Sequence, residues 1–217
     1  MSARIMIVDD DPLVRSGLKL LLGGTPGLQI VAEAADGRAA LETHTAEPVE
    51  LVLMDLRMPV MDGIAATAAL KSGANPPAVI VLTTFDADDY VVRALAVGAD
   101  GFLLKDTPPG EIVDAITGVL DGRPALSPSI TAALIRQVVD GGDTGGTAAA
   151  QDALSALTDR ERDVAIALAR GASNAEIAAD LHLSVATVKA HISHIFTKLD
   201  ATNRVQVAIL VHDAGLV

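Results

Sequence analysis

Apolar positions along this chain change their period partway. Through the first half, short aliphatic runs recur at 4–8, 28–34, 51–54, 78–82 and 101–104. Runs of this length, rich in Ile, Val, Leu and Met, predict strands buried on both faces. Segments of helical period separate them at 12–22, 37–45, 62–71, 86–97 and 109–121, with Pro12 suited to a first turn and Gly98 to a C-terminal stop. Strict alternation of five such units predicts an α/β fold, a five-stranded doubly wound parallel sheet with helices on both faces. Beyond the midpoint every apolar pattern is helical. Thr158 with Glu161 and Ser173 with Glu176 each have the spacing of a capping box. A small all-α domain is therefore expected at the carboxyl end. Between the two regions lie an amphipathic segment, Ser127 to Val139, and the stretch "DGGDTGGTAAAQDA", whose four glycines predict a flexible linker. The expected division is 1–123, a linker at 124–152, and 153–217.

Composition narrows the chemistry. Half of the 217 residues are apolar, yet there are only three Phe and one Tyr, so the cores must be aliphatic. The absence of Cys excludes disulfides and thiolate metal sites, and the five His lack zinc-type spacing. No apolar run approaches the roughly 18 residues of a membrane span, and the first run is cut short by Asp9, Asp10 and Asp11. A cytoplasmic protein with no membrane partner is expected. The net charge of −12 argues, taken alone, against nucleic acid, but it is unevenly spread. Residues 1–123 carry 18 acids against 9 Lys and Arg, whereas Ser184 to Leu199 contain no acid and include Lys189, Lys198, His191 and His194.

In that acid-free stretch, Val185, Val188, Ile192, Ile195 and Leu199 share one side of a helix, preceded by a shorter helix and the two residues His182 and Leu183. Thr187, Lys189, His191, Ser193 and His194 face outward. Either a plain four-helix bundle or a helix-turn-helix fits this pattern, and the outward side without a carboxylate favours double-stranded DNA.

In the first half, chemistry-bearing residues collect at strand ends. Asp9 and Asp10 follow the first strand, Asp55 follows "LVLM", Thr83 follows "VIVL", and Lys105 follows "GFLL". In an open parallel sheet the carboxyl edge is where ligands bind, so these five converge on one crevice. Two carboxylates about 5 Å apart repel by roughly 3 kcal/mol at an effective dielectric near 20, so three cannot share a crevice without cations.

The combination "VDD", "LMDLRMPVMDG", "LTT" and "GADGFLLKD" resembles the receiver domain of two-component response regulators over essentially all of residues 1–123. The carboxyl-terminal part, with "LTDRE", "SNAEIA" and "TVKAHI", is similar to the LuxR-type helix-turn-helix of the NarL/FixJ class. That resemblance implies phosphorylation of Asp55 by a sensor histidine kinase. It implies Mg²⁺ held by Asp10, Asp55 and the Arg57 carbonyl, with Asp9 reached through water. Thr83 and Lys105 would contact the phosphoryl group, and Phe102 would be the aromatic switch whose ring turns inward on phosphorylation. Arg57 and Phe85 would flank the path of hydrolytic water. Asp11, one place beyond the usual pair, is read as a helix cap.

By the same resemblance the phosphorylated chain forms a homodimer on a double-stranded DNA operator. Ser184 opens the recognition helix, Lys189 and Ser193 read base edges, and Thr187, Lys198 and Arg204 contact phosphates, with Glu161 as an alternative partner for Arg204. Two other readings compete. A haloacid dehalogenase-type phosphohydrolase would need an acid/base Asp where Arg57 stands, and a phosphorylation-independent regulator would keep the receiver only for dimerisation.

Overall fold

The computed structural model describes residues 2–84, 88–126 and 146–217, the side chains of 88, 89, 92, 146 and 147 excepted. The chain divides into two compact units, Met1–Leu120 with Ala125–Thr131, and Asp121–Pro124 with Ala132–Val217.

In the first unit, β1 (Ala3–Val8), β2 (Leu28–Ala34), β3 (Leu51–Met54), β4 (Ala78–Thr83) and β5 (Gly101–Leu104) alternate with α1 (Pro12–Leu22), α2 (Gly37–Ala46), α3 (Gly63–Lys71), α4 (Asp88–Ala96) and α5 (Pro109–Leu120). All pair in parallel in the order β2-β1-β3-β4-β5, and a two-residue β6 (Ala125–Leu126) extends the edge beside β5. The sheet is thus six-stranded rather than five-stranded, because the last strand is too short to carry a period. Alternate residues of each central strand serve opposite cores. Ile5, Ile7, Leu51, Leu53, Ile80 and Leu82 pack with Leu18, Leu22, Ile112 and Ile116 of α1 and α5. Met6, Val8, Val52, Met54 and Val79 pack with Ala40, Ala66 and Leu70 of α2 and α3. Each Ile, Leu, Val and Met among them contributes about 1.5–3 kcal/mol through burial. This two-sided core leaves the carboxyl edge of the sheet as the place for polar groups.

The second unit contains α6 (Gly146–Ser155), α7 (Asp159–Ala169), α8 (Asn174–Asp180), α9 (Val185–Leu199) and α10 (Arg204–Asp213). Both capping boxes form, Thr158 with Glu161 on α7 and Ser173 with Glu176 on α8. The composition around residues 146–153 predicts a flexible linker, but α6 occupies them and seats Ala150 and Leu154 in the core with Val164, Ile177, Val188, Ile195 and Val207. The earlier amphipathic segment, Ser127 to Val139, lies outside the described residues, as does Phe85.

Candidate functional site

Strand ladders place the acidic residues of the first unit. The Asp9 N–H donates to the Ala34 carbonyl at 3.1 Å, Asp55 N–H to Val8 at 2.8 Å, and Lys105 N–H to Thr83 at 2.8 Å. Backbone pairing therefore continues one residue past the strands, and the side chains emerge together at the carboxyl edge. Asp9 and Asp55 are only 2% and 6% exposed, and Thr83 is buried beside them. The Lys105 ammonium lies 2.6 Å from Asp9 Oδ2 and 3.3 Å from Asp55 Oδ1. Carboxylate oxygens of Asp9, Asp10 and Asp55 lie within 4.8 Å of one another, Asp10 at the exposed rim. Asp11 caps α1, its Oδ1 accepting the Leu13 N–H at 2.8 Å, while its own N–H donates to Asp9 Oδ1 at 3.0 Å. The loop after Asp55 turns back so tightly that the Gly63 N–H reaches the Leu56 carbonyl at 3.0 Å. A Cβ at Gly63 would come within 2.0 Å of the Asp55 carbonyl oxygen, so no larger residue permits this return.

Charge within the cluster is unbalanced. Burial pushes the Asp55 carboxyl above its ordinary value, Lys105 pulls it back in part, and the neighbouring Asp9 charge adds to the rise. Burial works to lower Lys105, but its bonds to Asp9 and Asp55 outweigh that and hold its pKa above the ordinary value. One ammonium faces two buried carboxylates and a third at the rim. An all-carboxylate oxygen set with this surplus of negative charge fits a small hard divalent cation such as Mg²⁺.

Beside the cluster, the Arg57 guanidinium lies 5.6 Å from the centroid of the Tyr90 ring and that of Arg93 lies 5.8 Å from it. The Arg57 contact thereby ties the loop leaving Asp55 to α4, while Arg93 approaches the same ring from within the helix. Phe102 is wholly buried in β5. The close packing of β5 against its neighbours encloses the ring, which is where the switch position expected of Phe102 stands in this structure.

In the second unit, Ser184 caps α9, accepting the Thr187 N–H at 3.0 Å, and its hydroxyl lies 2.8 Å from that of Thr187. Lys189 and Ser193 are exposed on α9, with the Ser193 hydroxyl donating to the Lys189 carbonyl at 3.1 Å. Val188, Ile192 and Ile195 are buried as expected, but Val185, at the first turn, is exposed. Two cations expected on DNA phosphates have other partners. Arg204 is 9% exposed and donates to the Ala172 carbonyl at 3.2 Å and to Asn174 Oδ1 at 3.0 Å. It braces the bundle, and its expected phosphate contact is withdrawn. Lys198 lies 2.6 Å from Glu161 Oε2, and His194 Nδ1 lies 4.0 Å from Glu161 Oε1. Sequence reasoning missed this grip of Glu161 on the end of α9, as it missed Tyr90 and Arg93. The signal available was the recurrence of Thr187, His191, His194 and Lys198 at intervals of four, three and four residues, one flank of a helix.

The family model described as "Response regulator receiver domain" matches residues 5–117, and "Bacterial regulatory proteins, luxR family" matches residues 155–211. The chain belongs to the NarL-type response regulators. It is similar to the nitrate/nitrite response regulator protein NarP of Escherichia coli strain K12, 38% identical over 207 residues that cover 95% of this chain and 93% of that protein. It is similar also to the transcriptional regulatory protein LiaR of Bacillus subtilis strain 168, 34% identical over 216 residues and 99% of each chain. The crystal structure of the response regulator ChrA, from a haem-sensing two-component system, shares 35% identity at a TM-score of 0.53, covering 100% of this chain and 99% of that one. This response regulator carries a receiver and a LuxR-type DNA-binding domain and acts in transcription regulation, not as a conventional enzyme. No helix among its described residues is long and apolar enough to cross a membrane.

Proposed function

We propose that the regulator is switched by Mg²⁺-dependent phosphorylation of Asp55 by a sensor histidine kinase, which promotes homodimer formation and binding to a double-stranded DNA operator in the cytoplasm. The observation that carries this reading is the single ammonium of Lys105 shared by two buried carboxylates. Asp55 is the nucleophile: its oxygen bonds to phosphorus, the bond from phosphorus to the donor imidazole breaks, and that imidazole leaves as the neutral ring once it has a proton. Asp9, Asp10, Asp55 and the Arg57 carbonyl would hold the Mg²⁺, which supplies compensation for charge spread over the transferring phosphoryl oxygens. Lys105 adds a fixed positive charge beside Asp9 and Asp55, and the Thr83 hydroxyl would contact the product. Burial of Asp9 and Asp55 keeps bulk water from weakening these interactions.

Residues 1–123 would form the receiver, and α7 to α10 the DNA-binding module, with α6 completing its core. In α9, Lys189 would read a base edge with Ser193 beside it, while Ser184 and Thr187 meet the backbone at the helix start. Incubation with acetyl phosphate and Mg²⁺, followed by intact-mass measurement and sedimentation, tests the proposal. A gain of one phosphoryl group with a shift to dimer supports it, and an unchanged mass refutes it.

The buried ring of Phe102 favours a second reading, DNA binding without phosphorylation. Equal operator affinity of wild type and Asp55→Asn would establish that reading instead.

A further inference from the structure

Glu161 does more than cap a helix. The two capping boxes of the DNA-binding unit make the point by contrast, because Glu176 closes its box as an exposed residue whereas Glu161 is only 4% exposed. Capping alone does not require that burial. Glu161 Oε2 accepts the Thr158 N–H at 2.8 Å and the Thr158 hydroxyl at 2.9 Å, and the same oxygen takes the Lys198 ammonium at 2.6 Å. Its other oxygen faces His194. One carboxylate thus joins the first turn of α7 to the last turn of α9.

The consequence concerns DNA. Lys189 and Lys198 are the two Lys or Arg residues of α9. They stand on opposite flanks of the helix, since nine residues at 100° each bring the second about half a turn from the first. A lysine near the end of a groove-reading helix contributes through phosphate contact, which strengthens binding to every sequence alike. An ammonium already paired with a buried carboxylate must break that bond to reach a phosphate. We infer that Glu161 is a positioning residue of the DNA interface, which holds Lys198 back from phosphate and so lowers sequence-blind affinity relative to operator affinity. Glu161 sets how much of the recognition helix's positive charge the DNA meets. The inference rests on α9 being the helix that enters the groove.

Salt dependence separates this role from a merely structural one. Full-length protein is titrated with a mixed-sequence duplex by fluorescence anisotropy across a series of salt concentrations. Glu161→Gln retains an oxygen for the capping box but releases Lys198, and it should tighten binding and steepen the plot of log K against log salt by about 0.9, one phosphate contact. Lys198→Ala alone should leave the slope unchanged, and the double variant Glu161→Gln/Lys198→Ala should return to the wild-type slope. If Lys198→Ala alone lowers the slope by about 0.9, Lys198 contacts phosphate despite Glu161 and the inference is overturned, whether or not Glu161→Gln folds. An unchanged slope in a folded Glu161→Gln protein overturns it equally. Lys189→Ala distinguishes the underlying reading. If it weakens binding, α9 remains the DNA helix and a negative result above falls on Glu161 alone; if it binds as wild type, the recognition-helix assignment falls and the inference falls with it.

Discussion

The Asp9–Asp55–Lys105 cluster of the receiver and the Glu161–Lys198 pair of the DNA-binding unit each bring a lysine ammonium to 2.6 Å from a buried carboxylate. Their electrostatics nevertheless run in opposite directions. Burial and a second carboxylate hold Asp55 above its ordinary pKa. Lys198 and the N–H and hydroxyl of Thr158 hold Glu161 down, to about 2. The difference lies first in burial, which outweighs the shared ammonium at Asp55, and then in the balance of neighbouring charge. Where two buried acids share one cation, the site retains negative charge, the condition under which a further cation or a reacting group can be accommodated. Where one acid has a cation and two further donors, its charge is compensated and the pair is a fastening. An ion pair at a short distance thus says little until the surrounding charges are counted.

The largest test of this contrast is Asp55→Asn. Removal of the nucleophilic oxygen should abolish phosphoryl uptake from acetyl phosphate, and a persisting mass gain would show that the reactive acid lies elsewhere.

Next is Lys105→Met, which leaves Asp9 and Asp55 facing each other without a cation. The receiver should lose about 3 kcal/mol of stability in urea unfolding, as buried pairs do when one partner is deleted. Added Mg²⁺ should recover part of that loss. Failure of Mg²⁺ to do so would mean that the acids do not form a divalent cation site.

In the other unit, Lys189→Ala should cost about 1–3 kcal/mol of operator binding and relax preference at one base position, read by footprinting. Unchanged preference would remove Lys189 from the base-reading set.

The smallest effect is the sharpest comparison, because the two carboxylates should respond to pH with opposite sign. Glu161 has a folded value of about 2 against 4.5, so the stability its ionised form contributes is complete above pH 4.5 and is lost as pH falls through about 2. Glu161→Gln should flatten the acid limb of unfolding of its unit over that window. Asp55 is shifted upward from 3.8, so its protonated form contributes stability that is present below 3.8 and lost as pH rises through the folded value. Asp55→Asn should accordingly stabilise the receiver at neutral pH without added metal. Parallel pH profiles for the two variants would break the contrast.

How far these sites were legible in the sequence follows from what specifies each. A parallel sheet brings every strand's carboxyl end to one edge, so Asp9, Asp10, Asp55, Thr83 and Lys105 could be gathered from their places after aliphatic runs alone. The second unit has no such rule. Arg204 looks like any exposed cation at a helix start, and its partner Asn174 lies 30 residues away. Lys198 meets Glu161 across 37 residues, a contact that depends on how α7 crosses α9. Elements at the edge of detection were missed for different reasons. Ala125–Leu126 is too short to show a period, and glycines at 141, 142, 145 and 146 masked the alanine-rich helix that begins at the last of them.

That helix decides where the molecule can be cut. α6 places Ala150 and Leu154 in the core of the second unit, and its Gln151 amide donates to the Ala214 carbonyl at 3.2 Å, close to the far end of the chain. A fragment trimmed to begin at residue 153 would keep Leu154 but strip away the turns that press it inward. The groove vacated by those turns would be apolar and open to solvent, a surface prone to self-association. A fragment that begins ahead of Gly146 would carry its own cover, so the Gly-rich stretch, and not residue 153, is the proper place for a protease site or a fusion joint.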